Sequence, residues 1–460
     1  MKKILATILA LVMALGLCSV SWAEGTTQST LQSRINAAGN TETTVALTGN
    51  VTESITVGSG QSIILDLKGY TLTNAAGSHT ITNNGTLTIK DSSERKTGTV
   101  DNVTHARAAI YNNGTMTLEG GSYTRSAEKS NEPNRNSWYV IYNKGELTTY
   151  DGVVVKFSDT DRGTFSSLFV TTGSEAKTTI DGGKFISGLI ALKVEKGTLD
   201  FNGGDVTGDN QAVQCWDKVN ISGGDLTGAV CAWSYTENGS NLAGEITISG
   251  DTTINGDVKA IQWNYNNTPA ATSAKIEIKG GYVFGDALTA TKDYGESAAS
   301  VTAKMEITGG TFKNDVSAYV QAGEEAKTIP IAKVKYASGT EFYAVGDYVS
   351  LEGEYADSGD TLTITQGNAD LTNVPAGVIV KNTGDGKVTV NGTKEVKKGD
   401  APYTVPAKTG GYYYYPSTTD TKTDTTTKGS PKTFDAGVGI YAVTAVLSVT
   451  GMAWTAKKRH

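Results

Sequence analysis

Apolar and polar residues alternate with a period of two along short stretches between residues 40 and 400, and Gly, Asn or Asp residues separate these stretches. A period of two puts successive side chains on opposite faces of a strand, so the pattern predicts β-strands joined by turns. No segment in this range shows the 3.6-residue spacing of a helical apolar face. Residues 24–50 are expected to form an N-terminal cap, with one short helix near residues 30–38 that covers the end of the first strands.

A sequence unit recurs along the chain and contains an apolar residue, an Asn and a Gly, then a short strand, then a pair of glycines. Two clear copies begin with Ile110-Tyr111-Asn112-Asn113-Gly114 and Ile141-Tyr142-Asn143-Lys144-Gly145. The first glycine of the pair, or the residue equivalent to it, recurs between residues 69 and 338 in steps of 20 to 31 residues. Units of this length without helices are expected to stack as the coils of a solenoid over residues 51–396. The residues expected to point into its core include Ile110, Leu118, Ile180, Ile221, Ile278 and Ile307.

This repeat pattern resembles the right-handed parallel β-helices of the pectin-lyase-like type over roughly residues 50–395. The resemblance implies an all-β fold, a right-handed parallel β-helix or β-solenoid. The Leu-x-x-Leu-x-Leu-x-x-Asn spacing of leucine-rich repeats is missing, and the repeat is too short for an array of immunoglobulin-like sandwiches. Asn83, Asn112 and Asn143 share one place in three consecutive units, so we expect their amides to stack as a polar ladder at a turn.

The N-terminal end has the three-part layout of a secretory signal peptide. Lys2 and Lys3 precede an apolar run over residues 4–17, and small residues lead to Ala23. The pattern predicts a signal peptide over residues 1–23 with cleavage after Ala23. The alternative, a transmembrane anchor, is disfavoured because it needs an apolar run of about 20 residues and the run over residues 4–17 is shorter.

The C-terminal end combines a polar linker with an apolar span. Seven of the twelve residues over 417–428 are Thr, which is too polar to bury and predicts a disordered linker over residues 397–429. The apolar stretch over residues 436–454 is long enough for a C-terminal transmembrane helix, and the basic residues after it are expected to stay in the cytoplasm.

The hexapeptide Ser430-Pro431-Lys432-Thr433-Phe434-Asp435 lies immediately before that span. It resembles the Leu-Pro-x-Thr-Gly sorting signal of Gram-positive cell-wall proteins, with Ser430 in place of Leu and Phe434 in place of Gly. The resemblance implies a cell-wall sorting signal over residues 430–460, in which Pro431 sets the local bend. A sortase would cut after Thr433 and join it to peptidoglycan, so that the membrane holds the chain only before processing. The alternative is a plain C-terminal membrane anchor.

The net charge and the cysteine content limit the kinds of ligand and cross-link that the chain is expected to have. The formal net charge of −7 does not suit nucleic acid, whose phosphates need Lys and Arg partners, but it suits a soluble exported protein. Cys215 and Cys231 lie in two similar segments, but one place out of register, so a strand would point them to opposite faces. Two free thiols are therefore favoured over a disulfide, and no metal site or cofactor is predicted.

Proteins of the β-helix class include polysaccharide-degrading enzymes, but a fold alone does not imply a catalytic site. The Asn-Thr-Asp, Asp-Asp and Gly-His-Gly motifs of galacturonan hydrolases are missing. Asp159-Thr160-Asp161-Arg162 contains the residue types of a calcium-dependent lyase, but the favoured interpretation is a solvated turn. No catalytic residue is assigned, and the chain is predicted not to be an enzyme; the alternative is a wall-attached polysaccharide lyase or hydrolase.

The pattern that favours binding is aromatic. Trp216 and Trp233 occupy aligned positions in neighbouring units, and if the alternating residues beside them face the core, both indoles face solvent on one side of the rod. Stacked indoles beside amides suit the faces of sugar rings or a partner protein. The alternative is that the loop over residues 235–243 folds over them. The predicted function is a non-catalytic wall-anchored adhesin or glycan-binding rod for host or dietary glycans or surface proteins, and its candidate binding residues are Gln214, Trp216, Trp233, Gln262 and Asn264.

Overall fold

The computed structural model describes residues 30–75, 77–126, 138–159, 162–163, 166–237, 240–264, 272–293, 303–320 and 329–407. The expected signal peptide, sorting signal and transmembrane span, with Pro431 and Thr433, lie outside these residues. The described chain is mostly β, and successive units pair in parallel as the coils of a solenoid with three sheets.

Each coil contributes a strand to each sheet in turn, so a strand pairs with its counterpart one coil away. Sheet 1 contains β1 (Thr43–Ala46), β4 (Ser62–Asp66), β7 (Thr86–Lys90), β10 (Thr115–Leu118), β13 (Glu146–Thr149), β19 (Lys218–Ile221) and β22 (Glu245–Ile248). Sheet 2 contains β2 (Val51–Thr52), β5 (Thr71–Thr73), β8 (Thr99–Asn102), β11 (Gly121–Arg125), β14 (Val153–Lys156), β16 (Lys184–Ser187) and β23 (Thr253–Asn255). Sheet 3 contains β3 (Ile55–Val57), β6 (Ile81–Asn83), β9 (Ile110–Asn112), β12 (Ile141–Asn143), β24 (Val258–Asn264) and β26 (Ala287–Asp293).

Longer strands turn a corner and belong to two sheets. Sheets 3 and 1 share β15 (Phe169–Ile180) and β17 (Ile190–Phe201); sheets 2 and 3 share β18 (Asp205–Cys215) and β20 (Asp225–Glu237); sheets 1 and 2 share β25 (Lys275–Val283) and β27 (Lys304–Phe312). A further strand, β21 (Ser240–Ala243), forms an antiparallel hairpin with β20 on the outside of the solenoid.

The core is a set of apolar columns that run along the solenoid axis. In sheet 1 the parallel register places Leu118, Ile180, Ile221, Ile278 and Ile307 in one such column, and each has 0 % of its surface exposed. Burial of such a side chain contributes about 1.5–3 kcal/mol. Ile110 is equally buried in sheet 3, so the six inward positions predicted from the repeat are confirmed.

The predicted asparagine ladder forms inside the corner between sheets 3 and 1. The amide Nδ2 of Asn83 donates to Oδ1 of Asn112 over 2.7 Å, and Nδ2 of Asn112 donates to Oδ1 of Asn143 over 2.8 Å. All three side chains have 0 % exposure, and their amide groups are satisfied by the adjacent coils together with the backbone two residues further on in their own coil. The glycine that follows each Asn is required by the stacking, since a Cβ on Gly114 would lie 2.1 Å from the carbonyl oxygen of Gly85.

The N-terminal end of the rod is covered by the short helix α1 (Leu31–Asn36), as the sequence predicted. Thr30 caps it by accepting a hydrogen bond from the Ser33 amide, and Leu31 and Ile35 join the solenoid core. The Gln32 side chain bonds both backbone polar groups of Thr56 in β3. The helix therefore satisfies part of a sheet edge that would otherwise remain unpaired.

Parallel strand pairing between coils ends at β27, after which one isolated parallel bridge joins Ile307 to Val320; the repeats were predicted to extend to residue 396. After β27 and a 3₁₀ turn (Ser317–Tyr319), a C-terminal module pairs antiparallel with the last coil and has its own apolar core. This module reaches into the expected linker, because Val405 is buried. Its elements are β28 (Ile331–Lys335), β29 (Glu341–Val345), α2 (Tyr348–Tyr355), β30 (Thr361–Gln366), β31 (Ala369–Leu371), β32 (Ile379–Asn382), β33 (Val388–Val390), β34 (Lys394–Val396) and β35 (Tyr403–Thr404).

Helix α2 lies where the sequence analysis found no helical pattern. Eight residues make only about two turns, and its buried residues are Val349, Glu352 and Gly353. Because one of these is charged and one has no side chain, there is no apolar stripe to detect.

Candidate functional site

The outward face of sheet 3 presents one continuous column of side chains. The register aligns Tyr111 with Tyr142, Val170, Lys193 and Gln214 in successive coils. Each lies between two inward residues of its strand and is therefore on the outer side of the wall. Tyr111, Tyr142, Lys193 and Gln214 are partly exposed there, whereas Val170 is covered and has 0 % of its surface exposed. The column continues through Cys231 to Lys259, so residues from many units share one surface along the axis.

Near the N-terminal end of this column lies an aromatic stack formed by His79, Tyr111, Trp138 and Tyr142. The ring centroids of Tyr111 and Tyr142 are 5.1 Å apart with an interplanar angle of 9°. The His79 ring lies 4.6 Å from Tyr111 on one side, and the Trp138 ring lies 4.7 Å from Tyr142. All four side chains are half-buried, so parts of their surfaces remain accessible to a ligand.

This stack was not predicted from the sequence, although the repeat pattern contains part of it. Tyr111 and Tyr142 occupy the same place in the two clearest copies of the repeat, between an inward Ile and an inward Asn. His79 and Trp138 come from the loops before β6 and β12, which have no periodic pattern. Only the packing of the coils brings them against the tyrosines.

Beside the stack is a cleft of about 520 Å³, which we call the N-terminal cleft. One wall is aromatic, and the remainder carries hydroxyl groups and the Arg107 guanidinium. The volume lies within the usual range of small-ligand sites. The residues that line the N-terminal cleft are Ser54, Ile55, Thr56, Gly77, Ser78, His79, Thr82, Arg107, Tyr111 and Trp138.

His79 is neutral in this cleft at neutral pH. Burial and the positive charge of Arg107 lower the pKa of His79 to about 4. Its Nδ1 accepts a 2.9 Å hydrogen bond from the Ala108 amide, which leaves the ring proton on Nε2 as a donor. The ring can therefore donate a hydrogen bond from its edge and stack through its face.

A second aromatic cluster contains Trp216, Trp233, Tyr235 and Trp263. The two predicted indoles stack with centroids 5.6 Å apart, and Trp263 contacts both. They lie outside the solenoid core on one side, as expected, but they are only 8 % and 7 % exposed, so the expectation of solvent-facing indoles is corrected. Trp263 and Leu242 of the β20–β21 hairpin pack against them, as in the alternative that the sequence left open.

The central cleft, about 430 Å³ in volume, adjoins this cluster on the same face. Gln214, Trp216 and Trp233 all line it, so the structure brings together three of the five predicted binding residues. The Trp233 Nε1 group donates to Oε1 of Gln211 over 3.3 Å. The residues that line the central cleft are Ile190, Asn210, Gln211, Gln214, Trp216, Ala229, Cys231, Trp233, Lys259, Ile261 and Trp263.

Gln262 and Asn264 do not join this site. Gln262 alternates with the outward residues Ile261 and Trp263 and is 1 % exposed, so its side chain points away from the central cleft. The Asn264 backbone ends β24, and its side chain lies outside the described part of the structure.

Both cysteines are buried on opposite faces of the wall, in agreement with their offset in the sequence. Cys215 packs in the solenoid core and Cys231 packs with the outward tryptophans, and both are free thiols. Burial raises the pKa of each thiol to about 12. Because the thiolate is the reactive form, neither is suited to nucleophilic chemistry at neutral pH.

Glu195 and Asp159, two acidic side chains near the clefts and the turn considered for calcium, are engaged in structural contacts. Glu195 lies between the two clefts and accepts hydrogen bonds from Lys193 over 2.7 Å and from Tyr139 over 3.1 Å. Burial opposes its ionisation, but Lys193 and these hydrogen bonds hold the pKa of Glu195 below its usual value. In the turn considered for calcium, Asp159 pairs with Lys156 and Arg162 pairs with Asp209, while residues 160 and 161 lie outside the described set.

Among the residues that the structure describes, no group of three or more His, Cys, Asp or Glu side chains is placed to hold a metal ion. In the same part of the chain, no helix is both long and apolar enough to cross a membrane. Comparison with protein-family models, with curated proteins and with solved structures finds no match to this chain.

Proposed function

We propose that this chain is a non-catalytic, surface-displayed rod that binds carbohydrate along the outward face of sheet 3. The observation that carries the proposal is the accessible stack of His79, Tyr111, Trp138 and Tyr142 beside a cleft lined with hydroxyl groups. Aromatic side chains supply apolar surface for the C–H groups of a sugar ring, and the polar groups around them supply hydrogen bonds to its hydroxyls.

The spacing of the two clefts favours an extended ligand over a single sugar. Four register steps separate Tyr111 from Gln214, which at about 4.8 Å per step places the two clefts about 19 Å apart. A chain of several sugar units that lies along the axis can reach both. Lys193 and Gln214 lie on the surface between or beside the clefts and can bond hydroxyl groups along that path.

A glycan array tests this function. We expect Tyr111→Ala and Trp138→Ala each to lower retention on bound glycans by tenfold or more, about 1.4 kcal/mol or more. Tyr150→Ala is the matched control, because Tyr150 is 44 % exposed and lies outside sheet 3. No glycan binding by the wild-type rod, or equal loss in all three variants, would exclude carbohydrate binding through this face.

We further propose that the rod has the right-handed coil of pectin-lyase-like β-helices and is exported and attached to the cell wall. The support lies in the sequence: a leader over residues 1–23, a Thr-rich segment before residue 430, and the sorting motif with Pro431 and Thr433 before an apolar stretch over 436–454. Muralytic digestion should release the protein while boiling in detergent does not, and mass spectrometry should find Thr433 joined to a wall peptide. Intact protein ending at His460 in detergent extracts would show a membrane anchor instead.

A further inference from the structure

We infer that the N-terminal cleft takes the negatively charged terminal residue of a glycan, with the Arg107 guanidinium bound to its carboxylate or sulfate group. This inference rests on the proposed carbohydrate binding and adds the class of sugar. It also assigns a role to Arg107, which the sequence analysis did not consider.

The Arg107 side chain is held in place but keeps its charge unpaired. Its Nε donates to the carbonyl of Gly77 over 3.1 Å and its Nη1 donates to the carbonyl of Ala106 over 2.9 Å. Among the described residues it has no carboxylate partner, although many other Lys and Arg side chains do. A guanidinium presents five donors, so groups remain for a planar anion in the cleft.

Arg107 places a positive charge in the lining of the cleft, in a chain whose formal net charge is −7. Both charged side chains that act on His79, Arg107 and Arg125, are cationic and disfavour its protonation. Arg125 is 1 % exposed and donates to the carbonyls of Trp138 and Thr104, which holds its side chain behind the aromatic wall.

The backbone that presents Arg107 adopts an unusual conformation. Ala106, immediately before it, has a φ of 52°, in the left-handed region that residues other than glycine rarely adopt. Such conformations persist only where the surrounding structure enforces them, and they concentrate at ligand-binding positions.

The position of the cleft favours the end of a glycan chain. Thr56 belongs to β3, the first strand of sheet 3, and Gln32 of the capping helix occupies its backbone groups. A ligand that runs along the outward column from the central cleft therefore reaches the N-terminal cleft last. A terminal residue fits this arrangement better than an internal one.

The test compares glycans that differ only in a terminal acidic group: sialyl-lactose and 3′-sulfo-lactose, each against lactose, titrated with the wild-type rod by calorimetry at low salt. We expect at least one acidic probe to bind about tenfold or more tightly than lactose, with an advantage that falls as salt rises. The two acidic probes separate a carboxylate from a sulfate. Arg107→Gln should reduce acidic-probe affinity to that of lactose, and Arg107→Lys should retain part of the preference.

Arg95→Gln is the matched control, because it removes the same charge from an exposed loop outside the cleft. A second measurement follows the His79 ring by NMR: a bound anion offsets Arg107, so the pKa of His79 should rise from about 4 with an acidic probe and not with lactose. Equal binding of acidic and neutral probes, or equal effects of Arg107→Gln and Arg95→Gln, would overturn the role of Arg107 and leave carbohydrate binding intact. No binding of any glycan on the array or in titration would overturn both.

Discussion

Replacing Asn112 by Ala tests whether the buried ladder supports the stack of coils. The Asn112 side chain makes five hydrogen-bond contacts: the two N–H groups of its Nδ2 are shared among Oδ1 of Asn143 and the carbonyls of Gly114 and Glu146, and its Oδ1 accepts from Asn83 and from the Gly114 amide. Each is worth about 0.5–1.5 kcal/mol net, and a buried group left without a partner costs about 1–3 kcal/mol. Because Asn83 and Asn143 keep other partners, we expect a loss of about 3–5 kcal/mol in the free energy of unfolding.

The neighbouring residue provides a control of the same type. Asn113 also bonds its counterpart one coil away, over 2.8 Å to Asn84, but this contact is exposed. Asn113→Ala should therefore change stability by less than about 0.5 kcal/mol. Urea unfolding followed by circular dichroism and by tryptophan fluorescence measures both variants, and coincident transitions show that the rod unfolds as one unit. Equal losses of unfolding free energy for Asn112→Ala and Asn113→Ala would show that burial is not the reason why the ladder stabilises the rod.

Three further predictions concern packing and pH. Replacing Trp216 and Trp233 by Ala should each cost about 3 kcal/mol, since both are buried; unchanged melting temperatures would show that they are exposed instead. Gly114→Ala should cost about 1–3 kcal/mol because its Cβ meets a carbonyl 2.1 Å away, whereas Gly49→Ala, with nothing within 4 Å, should be nearly neutral in the same melts. Burial raises the pKa of Glu352 above its usual 4.5, so the native state loses stability as pH rises from about 4.5 through the raised pKa. Glu352→Gln should remove that loss. If the difference in unfolding free energy between Glu352→Gln and the wild type does not grow between pH 4 and pH 7.5, the prediction is wrong.

The repeated motif carried most of the information about the solenoid. An inward Ile, an outward residue and an inward Asn in each unit specify both the core column and the ladder, because a parallel register aligns equivalent positions of successive coils. The capping helix could also be predicted from the sequence, since Thr30 is a favourable N-cap residue and apolar residues follow it. The end of the solenoid was not predicted, because the strands after Phe312 keep the same alternation although β29 pairs antiparallel with the last coil and β28 pairs antiparallel with β29 and β30.

The candidate site likewise combines features that strand alternation predicts with features that only tertiary contacts determine. Strand alternation correctly placed Trp216 and Trp233 on one outward side, and it also contained the outward tyrosines Tyr111 and Tyr142. Their exposure depended on residues without a periodic signal, since Trp263 and the β20–β21 hairpin cover the indoles whereas His79 joins the tyrosines from a loop.

The sequence by itself therefore determined the alternating strands of the solenoid, the inward columns, the asparagine ladder and the side of the wall on which Trp216, Trp233, Tyr111 and Tyr142 lie. These features follow from the local alternation of apolar and polar residues and from a repeat whose equivalent positions stack on one another in successive coils. Only the tertiary structure decided which aromatic surfaces stay accessible, where Arg107 lies, and where parallel stacking gives way to the C-terminal module. Those features depend on contacts between segments distant in the chain, and a local pattern of polar and apolar residues does not encode them.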